Sequence, residues 1–129
     1  MEYGLLVMGA PYASAAPHSA LRFAKAVISS GHQVAGVFFY REGIHNASQL
    51  MTPPQDELNM REAWVALHQE HGVALDVCIA AALRRGVMSE TEAKRHGQTH
   101  FNLQAPFELT GLGQLLTLQQ RCDRLITFA

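Results

Sequence analysis

The chain has 129 residues, 48% hydrophobic and 16% charged, with ten Lys and Arg against eleven Asp and Glu. That is enough for one domain with its own core, too apolar for a disordered tail, and too evenly charged for a dedicated nucleic-acid module. Met1-Glu2-Tyr3 is not a basic leader and no apolar run approaches the roughly 18 residues of a membrane span, so a cytoplasmic protein is expected.

Gly4 to Gly9 is a short apolar run closed by Gly and Pro, which predicts a buried strand. His18 to Ser30 spaces Ala20, Leu21, Ala24, Val27 and Ile28 as one helix face, and Gly31 stands where a C-cap glycine belongs. Val34 to Tyr40 is β-branched and aromatic, a second buried strand. Residues 41–55, with Gly43, Asn46, Pro53 and Pro54, read as a loop. Asp56 or Glu57 then opens a helix with Met60, Ala63, Trp64, Leu67 and His71 on one face, ended by Gly72.

Val73 to Cys78 predicts a third strand and Ile79 to Arg85 a short helix stopped at Gly86. Ser89-Glu90-Thr91-Glu92 is a capping box opening another short helix, closed by Gly97. Residues 98–109 read as a loop, Thr110 to Arg121 as a last helix with Leu112, Leu115 and Leu116 inward, and Arg124 to Phe128 as a closing strand. Apolar strands alternating with amphipathic helices define an α/β domain spanning 1–129. The expected architecture is a flavodoxin-like open parallel sheet of about five strands, with helices on both faces and ligands at the strands' carboxyl ends.

Cys78 closes a predicted central strand and starts a short helix, in Asp76-Val77-Cys78-Ile79-Ala80-Ala81-Ala82. A thiol there faces free helix amides, which favour thiolate over thiol, and the alanines leave room for a partner to approach. The alternative is that Cys78 is a small buried apolar residue. Cys122 falls on the opposite rim, out of disulfide reach, and is expected to be an inert core residue. Arg84 and Arg85 complement the end of the short helix, about two turns from Cys78.

His68 and His71 lack a third ligand at useful spacing, so no metal is expected. His18 shares the rim of Cys78, and a Cys–His pair would be one way to hold a thiolate. The loop Gly9-Ala10-Pro11-Tyr12-Ala13-Ser14 has neither a dinucleotide nor a Walker pattern, and no cofactor is expected. Whether Tyr12 or Ser14 lines a pocket beside Cys78 is left open. Gly111-Leu112-Gly113 reads as a tight loop–helix join. Ile44, Leu50, Met51, Phe101, Leu103 and Phe107 lie in loops, so either they pack on the chain's own core or a partner subunit covers them. Together with the low charge, they lead to the expectation of an obligate hetero-oligomer.

Phe38-Phe39-Tyr40-Arg41-Glu42-Gly43 with Asn46, Val77-Cys78-Ile79-Ala80-Ala81-Ala82-Leu83-Arg84-Arg85-Gly86, Gly111-Leu112-Gly113 and Asp123-Arg124 resemble the DsrE-like sulfurtransferase family. The resemblance runs from end to end; the stretch from Cys78 to Gly86 is its specific part. It implies a sulfur-relay subunit whose family cysteine, falling on Cys78, carries sulfane sulfur as a persulfide. It further implies a heterohexamer with TusB-like and TusC-like chains, a TusA-like donor, a TusE-like acceptor serving tRNA wobble-uridine thiolation, and no cofactor. Thr110 stands where the family pattern has Ser. A subunit of a DsrE–DsrF–DsrH complex in sulfur oxidation and a non-catalytic scaffold are the alternatives.

Overall fold

The computed structural model describes residues 1–129. Its elements are β1 (Glu2–Val7), α1 (Ala16–Ser29), β2 (Gln33–Phe39), a 3₁₀ segment (Arg41–Ala47), α2 (Met60–His71), β3 (Ala74–Cys78), α3 (Ile79–Arg84), α4 (Glu90–Arg95), β4 (Phe107–Thr110), α5 (Leu112–Arg121) and β5 (Arg124–Phe128). Every strand pair is parallel, so the expected α/β sheet of five strands is present. Its order is β4-β3-β2-β1-β5, which differs from the flavodoxin order 2-1-3-4-5.

That order decides what covers each face. β1 to β4 are laid side by side in one direction, and only the last connection returns past β1. Right-handed crossovers then place the first helices on one face and α5 alone on the other. Side chains follow: Tyr3 packs on Phe23 of α1, Phe23 on Phe128 of β5, and Phe39 on Trp64 of α2, all on the first face. Gly4 and Gly36 point the other way. A Cβ on Gly4 would come to 3.0 Å from Leu118 and 3.1 Å from Cys122, and one on Gly36 to 3.5 Å from Leu118. The missing side chains let α5 lie close to the sheet.

Several predicted boundaries shift, each for a local reason. α1 starts at Ala16, ahead of His18, because Pro17 suits a first helical turn and Ser14 Oγ accepts from the Ala16 amide at 3.1 Å. α2 starts at Met60 rather than at Asp56 or Glu57, because the Asn59 side chain caps it by accepting from the Glu62 amide. His71 is exposed rather than inward. Residues 41–47 form the 3₁₀ segment instead of open loop, packed so tightly that a Cβ on Gly43 would collide with the Val7 carbonyl. The edge strand β4 lies partly in the predicted loop; four residues after Pro106 give too short an alternation to announce a strand.

α5 buries Leu118 and packs Leu115 against the core as expected, while Leu112 and Leu116 are 50% and 56% exposed, contrary to their expected inward position. A lone helix on a glycine-floored patch makes contact through one narrow stripe. The loop residues divide differently from a partner-covered surface: Ile44, Leu103 and Phe107 are buried in the chain's own core, Met51 and Phe101 are half-buried, and Leu50 is exposed.

The carboxyl rim is tied by one buried side chain. Asn46 Nδ2 donates to the carbonyls of Gly9 at 3.2 Å and Gly43 at 2.8 Å, and its Oδ1 accepts from Trp64 Nε1 at 3.1 Å. All three contacts are shielded from water, so removing the carboxamide orphans two acceptors and a donor. Asn46→Ala is expected to lower stability by about 2–4 kcal/mol, measured by urea denaturation, with the secondary-structure signal of the folded state unchanged.

Candidate active site

Cys78 is the last residue of β3 and the N-cap of α3. The alternating run Leu75-Asp76-Val77-Cys78 ends the strand, and Ala80-Ala81-Ala82 converts it at once to helix because alanine loses least on becoming helical. The thiol therefore stands at the carboxyl rim, where open α/β sheets place their reactive groups. Two expectations are corrected. Cys78 is only 3% exposed and none of the surface cavities reaches it, so the isolated chain does not present it to a partner. Its sulfur also takes no capping hydrogen bond from the α3 amides, and a six-residue helix supplies little dipole.

The positive group near Cys78 comes from the far end of α3. Arg85 turns back so that Nη1 donates to the Ala81 carbonyl at 3.1 Å, while Nε and Nη2 donate to the two carboxylate oxygens of Glu42 at 3.0 and 2.8 Å. The Arg85 hydrogen bond holds the Glu42 carboxyl below the usual carboxylate range. In return the Glu42 hydrogen bond raises the Arg85 guanidinium, with smaller electrostatic contributions that include Cys78 and Tyr40. Arg85 makes no direct bond to the sulfur, as the spacing predicted, but lies within its electrostatic reach. Arg84 is exposed.

Below Cys78 on the same sheet face lie two carboxylates. Asp76 pairs across the ladder with Glu108 on β4, and Cys78 pairs with Thr110. Half-burial, aided by the Glu108 charge, holds the Asp76 carboxyl above its ordinary range. Thr110 Oγ1 is buried without a hydrogen-bond partner. The sequence placed Thr110 at the start of the last helix; it ends β4 instead, and the cap of α5 is Gly111.

The other candidates are structural. His18 is exposed on α1 and makes no pair with Cys78. Tyr12, at φ 67°, donates to the Leu58 carbonyl at 2.8 Å and accepts from the Met60 amide at 3.1 Å, stapling the first loop to α2. Ser14 serves the first turn of α1, as above. His68 Nδ1 bonds the Val73 carbonyl at 2.9 Å, and no group of His, Cys, Asp or Glu is arranged to hold a metal ion. Cys122 is a free thiol at the C-cap of α5, half-buried against Gly4. It lies on the rim opposite Cys78. No helix is long and apolar enough to cross a membrane.

A parallel α/β sheet with a cysteine at the strand-to-helix junction beside its edge strand defines a class. The DsrE/DsrF-like family model matches residues 1–128, and the chain belongs to that family. It is 49% identical over 128 residues to the protein named Sulfurtransferase TusD of Salmonella newport (strain SL254), covering 99% of this chain and 100% of that one. A likeness of that extent supports a sulfurtransferase role in sulfur relay. The crystal structure of the ychN protein from E. coli shares the fold, with a TM-score of 0.77 at 19% identity over 99% of both chains.

Two measurements follow from the charges. Asp76 binds a proton more readily folded than unfolded, so its contribution to stability falls as pH rises from about 3.9 through its raised folded value. Asp76→Asn is expected to stabilise at neutral pH by less than about 1 kcal/mol, a rise of roughly 2–4 °C in Tm, and the gain should vanish in acid. The Arg85–Glu42 clamp needs a planar fork. In Arg85→Lys, hydrogen exchange is expected to quicken at the amides of residues 41–47 and to stay unchanged in β1 and β2.

Proposed function

We propose that Cys78 is the nucleophile and persulfide carrier of a sulfur-relay subunit. The observation that carries this reading is the position of Cys78, at the end of β3 and the start of α3, within a chain 49% identical throughout to a sulfurtransferase. The reaction asks for a thiolate and a partner sulfur; no metal, base triad or phosphate loop enters it.

In the first step the Cys78 thiolate attacks the outer sulfur of a donor persulfide, R–S–SH. A bond forms between Sγ and that sulfur, the donor's S–S bond breaks, and its electron pair leaves on R–S⁻. Cys78 becomes Cys–S–SH with no net oxidation. In the second step an acceptor thiolate attacks the outer sulfur and Cys78 departs as thiolate, ready for another round.

The donor is a TusA-like carrier, the acceptor a TusE-like protein, and the destination the 2-thio group of tRNA wobble uridine. TusB-like and TusC-like chains complete a heterohexamer in the cytoplasm. The burial of Cys78 fits such an assembly, because a donor or a neighbouring subunit has to uncover it. Leu112 and Leu116 on α5, with Leu50 and Leu58, supply exposed apolar surface for neighbours.

Intact mass measurement tests the carrier role after incubation with a cysteine desulfurase, cysteine and a TusA-like carrier, in the presence of the partner subunits. Wild type and Cys122→Ser are expected to gain one reductant-sensitive sulfur, and Cys78→Ser to gain none. Gain in Cys78→Ser, or in none of the three, would sink the carrier role. Because Cys78 is covered, the rate at which bulky reagents label it does not distinguish carrier from scaffold.

A further inference from the structure

We propose that the Thr110 hydroxyl donates a hydrogen bond to the Cys78 sulfur when that sulfur is ionised, and so sets how readily Cys78 accepts and releases sulfane sulfur. The pairing of the two residues across the β3–β4 ladder is the first observation. Paired residues of adjacent parallel strands project from the same face, and the strands lie about 4.8 Å apart, so a hydroxyl on one is a rotamer away from a sulfur on the other. The second observation is that Thr110 Oγ1 is buried and bonded to nothing. Buried hydroxyls are rarely left unpaired, and an orphan of this kind calls for an explanation. A neutral thiol is a weak acceptor and a thiolate a strong one. The hydroxyl is therefore unspent at rest and engaged when charge appears beside it.

The surrounding charges show why a neutral donor is needed. Asp76 and Glu108 share the sheet face of Cys78, Arg85 at the end of α3 lies within its electrostatic reach, and Tyr40 and Glu42 at the start of the 3₁₀ segment lie beside Arg85. Arg41 and His45 lie beyond Glu42. Arg85, a cation in electrostatic reach of Cys78, is already bonded to both carboxylate oxygens of Glu42. Asp76 and Glu108 put carboxylates rather than donors on this face, and the α3 amides give the sulfur no bond. A hydroxyl supplies the missing donor without another charge to desolvate. In the second step of the relay the same bond holds the departing Cys78 thiolate.

The proposal rests on the carrier reading for its role but not for its test. In a Cys122→Ser background, with the full chain and its co-purifying partners, the rate of Cys78 alkylation by iodoacetamide would be followed against pH by peptide mass spectrometry. Thr110→Val keeps the shape and loses the hydroxyl; Thr110→Ala repeats the loss with a smaller side chain; Thr110→Ser restores the hydroxyl. The alkylation midpoint is expected to move up by about one pH unit in Thr110→Val and Thr110→Ala, a fall of about tenfold in thiolate on the acid side, and to return in Thr110→Ser. Profiles in Thr110→Val and Thr110→Ala that superimpose on the parent would overturn the proposal, as would a shift in Thr110→Ser equal to that in Thr110→Val. Sulfur loading is measured on the same samples. A midpoint shift without any loading of Cys78 would leave the hydrogen bond standing and remove the relay.

Discussion

A single buried carboxamide holds the working end of this sheet. Asn46 joins the turn after β1, the 3₁₀ segment after β2 and the indole of Trp64 on α2, so three connections that would otherwise move independently share one node. Inside a low-dielectric core such a node is cooperative: each bond is worth most when the others are made. Its effect is transmitted outward. Fixing the 3₁₀ segment fixes Glu42, Glu42 orients the guanidinium of Arg85, and Arg85 places positive charge within reach of Cys78. A guanidinium is thus held near Cys78 by residues far from it in sequence.

The strand order matters as much. Because β4 is added beside β3 and β5 returns past β1, Cys78 stands next to the edge strand rather than at the sheet centre. On that face α5 lies over the glycines of β1 and β2. The neighbouring stretch of β3 and β4 carries Asp76, Glu108 and Thr110 instead of a continuous apolar surface. A carboxylate half-buried on that face is costly, which is why the Asp76 carboxyl sits above its ordinary range.

Much of this was legible in the residues. The apolar runs at 4–9, 34–40 and 73–78 became β1, β2 and β3, and the Ser89–Glu92 box capped α4 at the predicted residue. Cys78 fell at the strand–helix junction as its flanking valine and alanines required. What escaped was non-local. Whether α5 had one partner face or two depended on strand order, which periodicity does not contain, so Leu112 and Leu116 were assigned inward. The four residues of β4 acquire their strand character from pairing with β3. The return of Arg85 toward Glu42 spans 43 positions of sequence, and the orphaned hydroxyl of Thr110 is visible only once β4 is paired.

The cover over Cys78 has a meaning beyond geometry. A persulfide is a leaky store, since any small thiol diffusing past can strip its outer sulfur and release it as sulfide. Cys78, a residue 3% exposed, is shielded from much of that traffic. For a chain that carries such cargo, a cover of this kind slows loss: a macromolecule able to shift it gains full entry, and a small thiol reaches the sulfur only in the brief moments when the cover opens.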